Sequence, residues 1–236
     1  MALKNVPTAT ASGKDLQLAV FPTLTEALDY AAQGQTGFNY YNGRGDLTAV
    51  LPYSELRNKA RALARRLQGL GRGARVALVA HTHPDFMVVF YACQYAALVP
   101  VPLPAAIHLG GHEAYVRHLR QMVADCKAAA AFAPDDFISL LREAVVGLPV
   151  EVTGTLADLE ALPDRGELPE PPRVDELAYL QYTSGSTRFP RGTMITQASV
   201  MHNLEAIFNH GFRLTQEDRF FSWLPYYHDM GLVRCV

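Results

Sequence analysis

The run Thr183-Ser184-Gly185-Ser186-Thr187-Arg188-Phe189-Pro190-Arg191-Gly192 gathers hydroxyls, glycines and guanidinium groups in one short turn. Small residues let the backbone approach a ligand closely, and glycine permits positive φ. Exposed N–H groups and hydroxyls in such a turn can cradle an anion, phosphate above all. Arg191 adds a fixed positive charge with several donors. The run is not a Walker A loop, which needs Gly-Lys followed by Ser or Thr at the opening of a helix. Here Gly192 is followed by Thr193 and a further extended run, Thr193-Met194-Ile195-Thr196. A few adjacent Ser and Thr residues would also suit a surface turn. The complete pattern is more specific, because a β-prone segment leads in, TSGST and Pro-Arg-Gly follow, and a second β-prone segment leads out.

A second chemistry-bearing stretch is Trp223-Leu224-Pro225-Tyr226-Tyr227-His228-Asp229-Met230-Gly231-Leu232. His228 can place a hydrogen-bond donor beside an anionic group, or it can cap a helix that begins there. Asp229 and Gly231 suit a fixed turn. Elsewhere His81-Thr82-His83 and the set His108, His112 and His118 raise the question of a metal, but no cysteine or acid completes a tetrahedral set. These read as ordinary polar positions, and no metal site is expected.

The elements that must position these residues are legible as periodic patterns. Thr23 and Glu26 have capping-box spacing, so a short helix starts near Leu24 and ends before Gly34. Residues 36–52 read as a hairpin around Asn42-Gly43-Arg44-Gly45-Asp46. Within it, Arg-Gly-Asp is turn chemistry rather than an adhesion signal. Leu56, Ala60, Leu63, Ala64, Leu67 and Leu70 recur at helical spacing, with Arg57, Lys59, Arg61, Arg65 and Arg66 mostly on a solvated opposite face. Gly69-Leu70-Gly71-Arg72-Gly73 precedes a strand, whereas a dinucleotide fingerprint must follow one, so that reading is rejected.

Strands are expected at 75–80, 99–103, 128–132 and 150–152, and helices at 84–97, 112–126 and 136–146. Such alternation implies βαβ crossovers. The fold class is therefore α/β, a layered and mostly parallel sheet with flanking helices. Leu177–Tyr182 and Thr193–Thr196 should flank the TSGST turn as two strands of a hairpin-like unit. Thr196 should cap a helix carrying Val200, Leu204, Ile207 and Phe208 and ending at Gly211. Phe220–Leu224 is expected as a strand delivering the second stretch. Four segments follow: a flexible lead-in over 1–20, a first α/β subdomain over 21–162, a Pro-rich linker over 163–176, and a motif-bearing segment over 177–236.

A chain of 236 residues, 49% hydrophobic and 19% charged, can bury a large core. A formal net charge of −2 gives no electrostatic footprint for nucleic acid or an anionic membrane surface. Cys93, Cys126 and Cys235 are too few and too scattered for a disulfide framework, which points to a reducing, cytoplasmic setting. Residues 1–20 lack the apolar core of a signal peptide. The apolar run from Phe86 to Leu103 is broken by Gln94 and its end is crowded by Pro100, Pro102 and Pro104, so it reads as a buried helix and strand rather than a membrane span.

The two motif stretches together resemble the adenylate-forming enzymes. Tyr182-Thr183-Ser184-Gly185-Ser186-Thr187-Arg188, with Leu224-Pro225-Tyr226-Tyr227-His228-Asp229-Met230-Gly231, is most similar to the fatty acyl-AMP ligases. The resemblance runs from about Phe21 to Val233 and implies the first part of a longer enzyme. It implies formation of acyl-AMP from a fatty acid and ATP with Mg²⁺, for transfer to an acyl carrier protein.

It assigns Thr183, Ser184, Gly185, Ser186, Thr187, Arg191 and Gly192 to the β- and γ-phosphates, and His228 to the catalytic centre. Tyr227, Asp229 and Gly231 would lie near the substrate. Many relatives have glycine where Arg188 stands and lysine where Arg191 stands. Two other readings stay open: an acyl-coenzyme A ligase with the same first half-reaction, and a nucleotide-binding or interaction module without catalysis. Later family motifs have no counterpart in these residues, so the chain by itself is expected to be inactive and truncated within its ATP-binding segment. An open sheet edge is expected to favour self-association.

Overall fold

Every residue from Phe86 to Tyr95 is buried, so the helix they form is enclosed on all sides. The structure is a computed structural model describing residues 17, 20–105, 111–183, 191–215, 217–233 and 235–236. In chain order it begins with α1 (Leu24–Ala31), β1 (Gly37–Tyr41), β2 (Leu47–Pro52), α2 (Tyr53–Leu67), β3 (Arg75–Val79) and α3 (Pro84–Tyr95). Then come β4 (Val99–Leu103), α4 (Gly111–Asp125), β5 (Ala130–Phe132), α5 (Asp135–Ala144), β6 (Val152–Gly154) and α6 (Leu156–Glu160). The last elements are β7 (Leu177–Tyr182), β8 (Gly192–Thr196), α7 (Gln197–Glu205) and α8 (Asp229–Val233).

β4, β3, β5 and β6 form a parallel sheet in that order. Side chains alternate along a strand, so β3 sends Val76 and Leu78 to one face and Ala77 and Val79 to the other. The first face packs on α2 and α3, and the second on α4 and α5. This is the doubly covered parallel sheet that βαβ alternation implies. Pro100 and Pro102 are tolerated because β4 is an edge strand of this sheet, where a missing N–H removes no ladder bond. β1 and β2 form an antiparallel hairpin, and so do β7 and β8. β7 contributes Ala178 and Tyr179 to one core and Leu180 and Tyr182 to the other, so it joins the two layers.

A buried carboxamide chain ties these layers together. Gln94 Nε2 donates to the Ala178 carbonyl at 2.6 Å, Gln197 Nε2 donates to Gln94 Oε1 at 2.7 Å, and Leu24 N–H donates to Gln197 Oε1 at 3.1 Å. The polar residue that interrupts the apolar run of α3 is thus the link between α3, β7, α7 and α1.

Several local expectations hold. Thr23 caps α1 and Thr196 caps α7; beyond what the sequence suggested, His83 Nδ1 accepts from Asp85 N–H at the start of α3. Three differ. Phe220–Leu224 is not a strand, because extended backbone becomes one only with a neighbour to share its hydrogen bonds, and no described strand pairs with it. The helix expected to end at Gly211 passes into wider π-type turns over Ala206–Phe212. α6 was not expected, although Thr155 and Asp158 form a reciprocal capping box at its start.

The basic side of α2 is engaged rather than merely solvated. Arg57 pairs with Asp29 and Arg65 with Asp164. Arg66 donates to the Leu162 carbonyl and Gln68 to that of Glu167. Beyond the helix, Arg72 pairs with Glu176 at 2.5 Å and also donates to the Glu170 and Pro171 carbonyls. The Pro-rich stretch 163–176 is therefore strapped along this side.

The Arg72 guanidinium holds the Glu176 carboxyl at about 2, well below the ordinary glutamate range. A carboxyl depressed by folding stabilises the fold above its unfolded value and loses that contribution as pH falls toward its folded value. Glu176→Gln is accordingly expected to cost about 1 kcal/mol or less at neutral pH, as exposed pairs do. The difference from wild type should shrink as pH falls from about 4.3 toward 2. Urea midpoints measured across that range check it, and a pH-independent difference would refute it.

Cys93, Cys126 and Cys235 are free thiols, and burial pushes Cys126 and Cys235 up to about 11. Among the described residues no helix is long and apolar enough to cross a membrane.

Candidate active site

The β7–β8 hairpin pairs Tyr182 with Gly192, Gln181 with Thr193 and Leu180 with Met194. Thr183 N–H donates to the Arg191 carbonyl at 3.1 Å, closing the neck of the turn between them. Thr183, Arg191 and Gly192 are exposed at that neck. Ser184, Gly185, Ser186 and Thr187 lie in 184–190, outside the described residues, as does the expectation that this turn is unpaired or holds an anion. A Cβ at Gly192 would lie 2.6 Å from Leu180 Cδ2, so a larger residue there requires that side chain to shift.

The second stretch folds back against the same hairpin. Tyr226 is buried and stacks on Phe86 with ring centroids 5.0 Å apart. Its hydroxyl lies among those of Tyr40 and Tyr53, and burial drives its pKa strongly upward. The buried Tyr40 hydroxyl faces that of Tyr226. The Tyr227 carbonyl accepts from Gln181 Nε2 at 2.6 Å, and the Tyr227 ring lies 5.5 Å from that of His228.

His228 opens α8 through its backbone. Its N–H donates to the Pro225 carbonyl at 3.0 Å, and its carbonyl accepts from Gly231 and Leu232 N–H at 3.0 and 2.9 Å. The helix start uses these backbone groups, and the residue is exposed, so the imidazole is available for a ligand. Asp229 accepts from Met230 N–H at 2.7 Å. Its carboxylate lies near Tyr179, whose hydroxyl is pushed up to about 12 by burial and secondarily by that charge. A Cβ on Gly231 would fall 2.1 Å from the Pro225 carbonyl oxygen, so glycine is required for this close approach.

Beside this assembly lie the carboxyl ends of the parallel strands, the usual ligand-binding edge of an α/β sheet. His81 follows β3 and packs 5.7 Å from Phe137, and burial lowers its pKa, with the neighbouring His83 acting the same way. Tyr115 donates to the Pro104 carbonyl at 2.7 Å. Among the described residues no group of three or more His, Cys, Asp or Glu side chains could hold a metal ion. His83 caps α3 and His112 pairs with Glu143 at 2.7 Å.

Through Gln181, which donates to the Tyr227 carbonyl, the structure ties the strand that leads to Thr183 to the turn that carries Tyr227, His228, Asp229 and Gly231. Sequence reading missed Gln181, the residue that joins the two. Its only signal was a polar side chain in an otherwise apolar strand.

Comparison with known proteins bears on the family and the fold. Residues 32–236 match the family model described as AMP-binding enzyme. A Caulobacter vibrioides protein, named provisionally as an acyl-CoA synthetase, is 42% identical over 96% of this chain and 40% of its own length. A medium-chain fatty acid–acyl-carrier-protein ligase from Moorena producens is 31% identical over 90% of this chain and 37% of its own length. Among solved structures, one from a study of fatty acyl-adenylate ligases of E. coli and L. pneumophila superposes with a TM-score of 0.87 at 44% identity. It covers 92% of this chain and 40% of that one. The chain therefore spans about 40% of the length of these relatives. Its parallel sheet and flanking helices are those of adenylate-forming enzymes, and the chain belongs to the AMP-binding enzyme family, with fatty acyl-AMP ligases among its similar relatives.

Proposed function

We propose that this chain is the N-terminal portion of a ligase that activates a fatty acid with ATP to form acyl-AMP, and that the acyl group then passes to an acyl carrier protein. The observation that carries this reading is the Gln181–Tyr227 hydrogen bond, which holds the His228 turn against the strand leading into the TSGST loop. Thr183, Ser184, Gly185, Ser186, Thr187, Arg191 and Gly192 would receive the β- and γ-phosphates. The fatty acid carboxylate oxygen attacks the α-phosphorus, the bond to the bridging oxygen breaks, and pyrophosphate leaves. His228 donates a hydrogen bond to the carboxylate or an α-phosphate oxygen. Asp229 and Gly231 fix the turn, and Tyr227 lines the acyl side. The described residues do not supply a metal cage, so Mg²⁺ would accompany the triphosphate, as it commonly does.

The reading further holds that the chain alone binds nucleotide but does not turn over. It can grip the outer phosphates, but a poorly oriented reacting group forfeits orders of magnitude in rate. Calorimetry is expected to detect ATP binding that weakens roughly tenfold or more in Arg191→Ala, the scale of losing a hydrogen bond to a charged group. Equal affinity in the variant would remove the phosphate role. Pyrophosphate release with ATP, Mg²⁺ and fatty acids should show no fatty-acid-dependent signal, and robust release would show the chain to be sufficient.

The name of the Caulobacter relative favours a second reading, coenzyme A as acceptor. The full-length parent, assayed with each acceptor, separates the two. The exposed side chains of Phe221, Trp223 and Met230 support self-association of the isolated chain, which sedimentation would detect as concentration-dependent mass.

A further inference from the structure

We infer that Gln181 is a positioning residue that holds the His228 turn in register with the phosphate-loop hairpin. Gln181 lies on β7, two residues before Thr183, and is 5% exposed. Its Nε2 donates to the Tyr227 carbonyl at 2.6 Å, across a sequence separation of 46 residues. The same carboxamide leaves its Oε1 buried with no partner. Burying an unpaired acceptor is costly, and an apolar residue of similar volume would avoid that cost. The amide therefore serves the bond it does make.

That bond acts on a turn whose other fastenings are steric or local. Tyr226 stacks on Phe86, Gly231 abuts the Pro225 carbonyl, and His228 N–H closes onto that same carbonyl. None of these three contacts involves the hairpin, although the Asp229 carboxylate also lies near Tyr179 of β7. Gln181 supplies a direct hydrogen bond between the hairpin and the peptide unit that links Tyr227 to His228. A shift of β7 on ligand binding at its loop is thereby transmitted to the His228 backbone. This transmission rests on the phosphate-loop reading above, whereas the positioning itself does not.

The test uses the 236-residue chain and two substitutions. Gln181→Met keeps the volume and removes the donor. Gln181→Glu keeps a donor only while its buried carboxyl is protonated, so it can restore the bond at low pH and not at high pH. Hydrogen exchange of the His228, Gly231 and Leu232 amides is the first readout, with the β3 amides as internal reference. Gln181→Met is expected to speed exchange at the turn by roughly threefold to tenfold, the range of one net hydrogen bond, with β3 unchanged. Gln181→Glu should approach wild-type protection at low pH and lose it as pH rises through the pKa of the new carboxyl. A packing role alone would produce no such profile.

The second readout is the shift of the His228 ring resonances on adding pyrophosphate, expected in wild type and lost in Gln181→Met while pyrophosphate still binds. If turn protection is unchanged in both variants, or falls equally in β3 at every pH, the positioning role is wrong. If wild type binds no pyrophosphate, the phosphate-loop reading fails, and exchange alone decides the role of Gln181.

Discussion

Replacing Phe86 with alanine is expected to destabilise the chain by about 3–5 kcal/mol, the range for deleting a buried aromatic ring. Phe86 is 1% exposed in the first turn of α3. Its ring stacks between Phe90 at 6.0 Å and Tyr226 at 5.0 Å. The cavity left by alanine would lie between an enclosed helix and the second motif, where the walls cannot collapse without moving backbone. Aromatic pairing adds about 0.5–1.5 kcal/mol beyond buried area. Urea unfolding checks the result as a lowered midpoint with an unchanged slope. Phe221→Ala, at a side chain 68% exposed, should change stability by no more than about 0.5 kcal/mol. A loss below about 1 kcal/mol for Phe86→Ala would mean that this contact does not anchor the motif.

Gly231→Ala should reverse the usual helix preference. Alanine is ordinarily favoured over glycine inside a helix by about 1 kcal/mol. Here the new Cβ would stand 2.1 Å from the Pro225 carbonyl oxygen and 2.8 Å from its carbon. Both are backbone atoms, so no side-chain rotation relieves the overlap. The turn must open, and the His228-to-Pro225 bond that closes it must lengthen or break. Leu232, fully buried on α8, would be pulled from its seat. Overpacking of this kind costs about 1–3 kcal/mol and at times more, and the upper end is expected because the obstacle is main chain. Thermal unfolding together with hydrogen exchange across 225–233 is the measurement. A variant as stable as wild type would contradict the close approach.

Much of the architecture was legible from short-range pattern. The apolar segments Arg75–Val79 and Val99–Leu103 formed parallel strands, and the helical spacing from Leu56 to Leu67 formed α2. Thr23 and Thr196 capped helices as their positions implied. The hairpin around the TSGST turn followed from two β-prone segments with a polar turn between them. Such signals act within a few residues, through side-chain period, cap hydrogen bonds and turn chemistry, so one stretch of chain suffices to read them.

Tertiary structure decided the rest. Phe220–Leu224 had the composition of a strand, but β-propensity reports fit to a pleated neighbour, and none pairs with it among the described residues. The capping box at Thr155 was present in the sequence, but with aspartate in place of the glutamate or glutamine that usually marks it. Gln94 looked like an interruption in an apolar run, and Gln181 passed unremarked within another. Their meaning lies in hydrogen bonds to partners 84, 103 and 46 residues away, with Ala178, Gln197 and Tyr227. The sequence by itself singled out two motif stretches as candidates for binding phosphate and carboxylate. Only tertiary packing brought β7 against the turn of the second stretch, because a buried carboxamide has a defined role only once a distant backbone carbonyl is brought within hydrogen-bonding distance.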